Sequence, residues 1–254
     1  MQKRQLEIAL KVGSAKANRP LGRLFVLSIL AGSFIALPGV LSLILGSGFA
    51  GASIVNPSLG RLLSGLAFPV GLFMIVMTGA DLFTGNNALL LPGALRGDTS
   101  IGKVAANWLM VWVGNFIGAL LLTYFLVFQA GLVDNEPYRS AIIGIAETKT
   151  SLAAGLIFLR GIGANWCVCL AVWFGLTAEN IAHKALACWI PVAVFVILGF
   201  EHCIANMFYI PCGMMSGAEV GLTDFGYNLL WSTLGNIVGG ALLVGMLFYY
   251  LYRK

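Results

Sequence analysis

Charge is scarce in this sequence. Only 10% of its 254 residues are Asp, Glu, Lys or Arg, whereas a soluble domain carries about 25%. Hydrophobic residues make up 59%, and charge-free stretches such as 24–60 and 104–133 exceed the roughly 20 apolar residues that cross a bilayer. These features exclude a soluble globular protein and predict an all-α polytopic membrane protein.

Metal-binding patterns are also missing. The chain has two histidines and five cysteines, and the cysteines lie in or beside apolar segments without forming a CxxC pair. We therefore expect no metal site, no disulfide framework and no cofactor. Six basic residues precede the first apolar run: Lys3, Arg4, Lys11, Lys16, Arg19 and Arg23. This cluster is typical of a cytoplasmic anchor and does not indicate nucleic-acid binding.

The apolar runs between charges predict six membrane crossings. They are 24–46, 62–95, 104–130, 150–178, 185–218 and 225–252. Six crossings return both ends to one side, and the Lys/Arg bias of the loops places both termini in the cytoplasm, with the protein in the cell membrane. We expect a basic segment at 1–23 followed by one six-span transmembrane domain at 24–252.

Two of these segments, 62–95 and 185–218, are too long for simple spanning helices. Each contains 34 residues, which would extend about 51 Å as a helix, against a hydrocarbon core of about 30 Å. Each also holds a carboxylate near its middle, Asp81 or Glu201. The sequence therefore predicts that the second and fifth spans are broken.

Two motifs recur about 120 residues apart. The motif Gly79-Ala80-Asp81-x4-Asn86 matches Gly199-Phe200-Glu201-x4-Asn206, and Gly114-Asn115-x-x-Gly118 matches Gly235-Asn236-x-x-Gly239. This indicates an internal duplication with halves at about 24–133 and 148–252. Three crossings in each half make the halves inverted, which is typical of transporters with a midplane pathway. We expect the paired glycines to serve helix packing.

Ionisable residues inside the membrane are candidates for function. We expect Asp81 and Glu201 to cap backbone N–H groups at the helix breaks. His202 is either a hydrogen-bonded structural residue or a group that exchanges a proton near neutral pH, and its place on a break favours the second. Lys149 either extends to the membrane interface or concentrates an anion at a pore mouth.

Four longer motifs occur in order over nearly the whole chain. They are Asp81-Leu82-Phe83-Thr84-Gly85-Asn86, Ala164-Asn165-Trp166-x-Val168-Cys169-Leu170-Ala171-Val172-Trp173, Gly199-Phe200-Glu201-His202-x-x-Ala205-Asn206-Met207-Phe208 and Thr233-Leu234-Gly235-Asn236-Ile237-Val238-Gly239-Gly240. Together they resemble the formate/nitrite transporter family. The resemblance implies an aquaporin-like protomer of six spans with one pore, assembled as a homopentamer in the bilayer.

The resemblance also implies roles for individual residues. His202 corresponds to the central histidine, Thr84 to the loop threonine that faces it, Asn165 and Asn206 to pore asparagines, and Lys149 to a vestibule lysine. The apolar constrictions correspond to Phe68, Leu72, Leu82, Phe83, Val168 and Phe195. From the residues alone, this apolar set is equally consistent with ordinary packing.

The resemblance implies transport of small monovalent anions of weak acids, so we expect a channel or transporter and not an enzyme. Our hypothesis is that this transport is coupled to protons through His202. A bare anion loses its hydration in an apolar constriction, whereas the neutral acid crosses at a much lower cost. Formate is the first expected substrate, followed by nitrite, lactate, acetate and hydrosulfide. A water channel, an intramembrane enzyme and a structural subunit are the alternatives, but the chain lacks an Asn-Pro-Ala pair and a Gly-x-Ser-x-Gly nucleophile motif.

Overall fold

The computed structural model describes residues 2–49 and 56–253. Every regular element within those ranges is helical. Among these described residues, five helices are long and apolar enough to cross a membrane: Leu21–Ser47, Ser58–Thr78, Ile101–Phe128, Ala154–Gly175 and Leu222–Tyr252. The predicted all-α polytopic class is confirmed.

The helices follow the chain in a simple order. They are α1 (Gln2–Ala17), α2 (Leu21–Ser47), α3 (Pro57–Ala67), α4 (Val70–Thr78), α5 (Phe83–Arg96), α6 (Ile101–Leu122), α7 (Tyr138–Thr150), α8 (Ala154–Gly175), α9 (Ile181–Ile197), α10 (Cys203–Ser216), α11 (Leu222–Ile237) and α12 (Leu247–Tyr252). A π-helical segment continues α6 at Thr123–Phe128, and another joins α11 to α12 at Val238–Met246.

Both long apolar segments are broken, as their length predicts. Helix α4 ends at Thr78, and its C-cap Gly79 has a φ of 70°, in the left-handed region that glycine adopts without strain. Helix α5 begins only at Phe83. The other segment repeats this arrangement, since Gly199 also has a φ of 70° and α10 begins at Cys203. Each break therefore holds one of the two predicted carboxylates.

The repeated glycines allow close contact between helices in both halves. A Cβ atom at Gly118 would collide with the carbonyl of Ile29 in α2, and one at Gly239 would collide with the carbonyl of Ile162 in α8. Small residues at these positions let the backbones touch. The predicted packing role of these glycines is confirmed.

Two helices lie where the sequence suggests polar connecting segments. Helix α1 occupies most of 1–23, and it buries Leu6, Ala9, Leu10 and Gly13, which are spaced as one helical face. This face packs against α5. The high charge of the segment conceals this apolar stripe in the sequence.

Helix α7 precedes the fourth span, which begins at Ala154 and not at residue 150. Ile142 and Ala146 of α7 are buried, and α7 packs against α10. Helices α1 and α7 therefore have comparable places, because each lies beside one of the two breaks and carries a lysine in its last turn, Lys16 or Lys149.

Candidate functional site

Two polar side chains from the two breaks meet inside the protein. The Thr84 Oγ1 atom lies 3.0 Å from the His202 Nε2 atom, and both residues are buried. His202 is the N-cap of α10, where its Nδ1 atom accepts a hydrogen bond of 3.1 Å from the Ala205 N–H. Because Nδ1 is an acceptor, the proton of the neutral ring resides on Nε2, which donates to the Thr84 hydroxyl oxygen.

Asn165 fixes the backbone beside this pair. Its Nδ2 atom lies 3.2 Å from the Thr84 carbonyl oxygen, 3.0 Å from Asn87 Oδ1 and 2.6 Å from the Asn236 carbonyl oxygen. All four residues are buried. The amide of Asn165 is therefore directed at protein acceptors and ties α8 to both α5 and α11.

A single asparagine side chain holds the first break in place. Asn115 Oδ1 accepts a hydrogen bond of 2.9 Å from the first N–H of α5, that of Phe83. Its Nδ2 atom donates to the carbonyls of Ser28, at 2.7 Å, and Asp81, at 2.9 Å. The contacts to Phe83 and Asp81 satisfy backbone groups that the interruption of the helix leaves without helical partners, and the contact to Ser28 ties the break to α2.

The second break has the same arrangement. Asn236 Oδ1 accepts a hydrogen bond of 2.9 Å from the Cys203 N–H, and its Nδ2 atom donates to the carbonyls of Gly161, at 2.8 Å, and Glu201, at 2.9 Å. Asn115 and Asn236 belong to the second repeated motif. The asparagine of this motif therefore holds a helix break in place, in addition to the packing role of the glycines. The sequence did not reveal this role.

The expectation that Asp81 and Glu201 cap the broken helices is wrong. The first N–H groups of α5 and α10 are bound by Asn115 and Asn236, and the carboxylates instead accept hydrogen bonds from other side chains. Asp81 pairs with Lys16, whose Nζ lies 2.6 Å from Oδ1, and with Arg19. Ionised carboxylates buried to this degree require such partners.

Glu201 makes the equivalent contacts in the second half. The Lys149 Nζ atom lies 3.0 Å from Glu201 Oε1, and the Nδ2 atoms of Asn206 and Asn228 lie 2.8 Å and 3.4 Å from Oε2. The same amine lies 5.7 Å from the ring centroid of Tyr209. Lys149 and Glu201 thus form a compensated pair inside a polar network.

Lys16 is the counterpart of Lys149, and the sequence did not predict it. The side-chain amide of Asn107 donates to the Lys16 carbonyl at 3.3 Å, and that of Asn228 donates to the Lys149 carbonyl at 2.9 Å. Burial lowers the pKa of the Lys16 amine, although the neighbouring Asp81 carboxylate opposes this shift. The two lysines fall outside the spacing of about 120 residues, so the repeat did not reveal them.

Two cavities adjoin the breaks. The large cavity has a volume of about 760 Å³, and its lining includes Lys149, Glu201, His202, Phe68 and Phe195. Phe68 packs edge-on against Phe195, with ring centroids 5.8 Å apart, and Phe195 stacks on His202 at 5.7 Å. The imidazole therefore lies at the boundary between the large cavity and apolar packing.

The small cavity has a volume of about 280 Å³ and adjoins the first break. Lys16, Leu72, Leu82 and Asn86 contribute to its lining. The six predicted constriction residues are all buried: Phe68, Leu72, Leu82, Phe83, Val168 and Phe195. Two of them line the large cavity, two line the small one, and Phe83 and Val168 line neither.

Comparison with known proteins decides the family. The sequence model of the family described as "Formate/nitrite transporter" matches residues 3–250. The chain belongs to the formate/nitrite transporter family. Its resemblance to that family is therefore confirmed, and the chain is a multi-pass membrane protein of a family of transporters and channels.

Some relatives of this family member are named as formate transporters and others as nitrite transporters. A probable formate transporter of Methanothermobacter thermautotrophicus is 38% identical over 257 residues, covering 96% of this chain and 93% of that relative. The nitrite transporter NirC of Escherichia coli (strain K12) is 32% identical over 249 residues, covering 97% and 89%. The names alone do not choose between the two anions for this chain.

Two solved structures share the fold. A structure described as an FNT family ion channel has a TM-score of 0.86 and 30% identity, covering 98% of both chains. A pentameric formate channel with formate bound has a TM-score of 0.79 and 32% identity, covering 92% of this family member and 98% of that channel.

Proposed function

We propose that this formate/nitrite transporter family member moves small monovalent weak-acid anions with protons, and that formate is its first substrate. The observation that carries the proposal is the buried contact between Thr84 and His202, beside a cavity that also contains Lys149. The relative named as a probable formate transporter supports formate. Nitrite is the alternative substrate, because the nitrite transporter NirC aligns with nearly the same share of this chain as the probable formate transporter does.

The pathway runs through the two cavities and the apolar residues around the Thr84–His202 pair. A charged anion would lose most of its hydration among Phe68, Phe195 and Leu82, which are all buried. The neutral acid avoids this cost, so protonation at the end of the large cavity permits passage. An apolar environment also favours protonation of a carboxylate.

His202 acts in this scheme as a neutral group that polarises Thr84. Its Nε2–H donates to the Thr84 oxygen, which leaves the threonine O–H free to donate a hydrogen bond to the anion. A second proton on Nδ1 would face the Ala205 N–H and abolish the cap of α10. A water molecule in the large cavity therefore supplies the proton that converts formate to formic acid, and the hydroxide ion that it leaves behind stays on the side from which formate enters. The Thr84 hydroxyl and His202 stabilise the anion by hydrogen bonding until it is protonated.

The assembly and orientation follow from the same proposal. The chain assembles as a homopentamer with one pore in each protomer, and the pentameric formate channel that shares this fold supports the pentamer. The basic segment 1–23 and the carboxyl end of the pore domain 24–252 lie on the cytoplasmic side of the cell membrane, and its halves 24–133 and 148–252 have inverted orientations. The chain catalyses no covalent conversion of its substrate.

Proton-linked flux into liposomes tests the proposal. Purified protein is reconstituted in liposomes that contain a pH-sensitive dye, and internal pH is followed after a formate pulse. Empty liposomes measure passive diffusion of formic acid. Acidification well above that background supports the proposal, and competing nitrite or lactate then ranks the substrates. Acidification equal to that of empty liposomes would contradict proton-linked formate transport.

A further inference from the structure

Arg160 is a cation within the spanning helix α8 that the sequence did not single out. It lies six residues after the start of the helix, is half-buried and lines the large cavity. Its carbonyl oxygen accepts the Glu201 N–H at 3.3 Å, which fixes its backbone beside the second break. Among residues 2–49 and 56–253, its guanidinium forms neither an ion pair nor a side-chain hydrogen bond.

Positively charged residues outnumber negatively charged ones in the lining of the large cavity. Within the described residues its lining contains three cations, Arg61, Lys149 and Arg160, and one carboxylate, Glu201. Lys149 and Glu201 compensate each other at 3.0 Å. Arg61 is exposed at the surface, where solvent screens its charge. Arg160 is therefore the half-buried cation of this lining whose charge is not offset by a carboxylate.

A guanidinium in this position suits a particular class of ligand. Its planar fork of N–H donors matches an anion that presents two oxygens in one plane, such as a carboxylate or nitrite. A cation within a spanning helix is costly when it has no partner, and a bound anion removes part of that cost. The cavity has ample volume for such an ion.

We infer that Arg160 binds the two-oxygen anion in the large cavity before the anion reaches Thr84 and His202. The inference rests on the proposed transport of formate or nitrite and assigns an entry site to it. Arg160 is thus a specificity residue that favours planar two-oxygen anions over single-atom anions such as hydrosulfide. Lys149 holds Glu201 and the break in place.

The first test compares transport kinetics of three variants in liposomes at low salt. Loss of a charge-assisted contact in Arg160→Gln should raise the half-saturating formate concentration about tenfold and leave the maximal rate nearly unchanged. Arg160→Lys keeps the positive charge but loses the planar pair of N–H donors that matches two oxygens. It should therefore weaken formate uptake and leave hydrosulfide uptake unchanged. Arg61→Gln, the matched control, removes the same charge from the rim and should change the formate concentration less than about twofold.

A binding measurement separates this inference from the proposed function. Formate should raise the unfolding temperature of the detergent-solubilised wild type, and Arg160→Gln should abolish that increase while eluting as the same oligomer. If formate stabilises the wild type in this way but is not transported, the binding site at Arg160 is supported and the proposed transport of formate is contradicted. Equal effects of Arg160→Gln and Arg61→Gln, or unchanged formate kinetics in Arg160→Gln, would overturn the inference.

Discussion

The asparagine that holds the second break gives a sharp prediction about stability. Asn236→Ala removes the acceptor of the Cys203 N–H and a donor to the Glu201 carbonyl, both inside the protein. The Gly161 carbonyl also loses a bond, but it keeps its helical partner within α8. Two backbone groups are thus left without the partner that the side chain supplies.

The cost follows from those two groups. Each buried polar group without a partner costs about 1–3 kcal/mol, so the variant should lose roughly 2–6 kcal/mol of unfolding free energy. For a chain of this size, each kcal/mol shifts the unfolding temperature by about 2–4 °C. We therefore expect the unfolding temperature of Asn236→Ala to fall by at least about 4 °C.

Two further variants control this experiment. Asn236→Asp keeps an acceptor for Cys203 but directs a carboxylate oxygen at two carbonyls, so it should destabilise at least as much as Asn236→Ala. Asn180→Ala removes an exposed cap of α9, and it should cost only about 1 kcal/mol. Unfolding is followed by tryptophan fluorescence in detergent. An Asn236→Ala protein as stable as Asn180→Ala would refute the reasoning.

Three further predictions use other contacts. Gly239→Ala should lower stability and the yield of folded protein because its Cβ would meet the backbone of α8, whereas Gly226→Ala, which has open space, should not; size-exclusion chromatography measures both. Lys149→Met should destabilise more than the double variant with Glu201→Gln, because only the single variant leaves a buried carboxylate unpaired; thermal unfolding distinguishes them. Thr84→Val should abolish formate-driven acidification of liposomes while Thr84→Ser retains it, and equal flux in both would contradict the role of the hydroxyl.

The breaks were predictable from sequence because length and glycine position are local signals. A run of 34 apolar residues cannot cross a bilayer as one straight helix, and Gly79 and Gly199 occupy matching places beside the carboxylates. The family resemblance then paired Thr84 with His202, and the structure places their side chains 3.0 Å apart. Their roles in transport remain predictions.

The partners of the break residues were not predictable, because they come from distant parts of the chain. Asn115 caps α5 across 32 residues of sequence, and Lys16 reaches Asp81 across 65. No local pattern identifies such contacts, so capping was wrongly assigned to the carboxylates. Arg160 was missed because a single cation interrupts an otherwise apolar run without ending it, and only the structure shows that this residue lines the large cavity.

The central claim is that the Thr84–His202 pair couples anion passage to proton uptake. His202→Asn tests it cleanly, since an asparagine can still accept the Ala205 N–H as the cap of α10 but has no Nε2–H for Thr84. The measurement is the ratio of proton influx to labelled formate influx in liposomes, at several external pH values. The wild type should take up protons and formate together, and His202→Asn should lose this coupled uptake by about 100-fold or more, because it removes the N–H donor that polarises Thr84. A His202→Asn protein with the wild-type ratio, rate and pH dependence would contradict the claim.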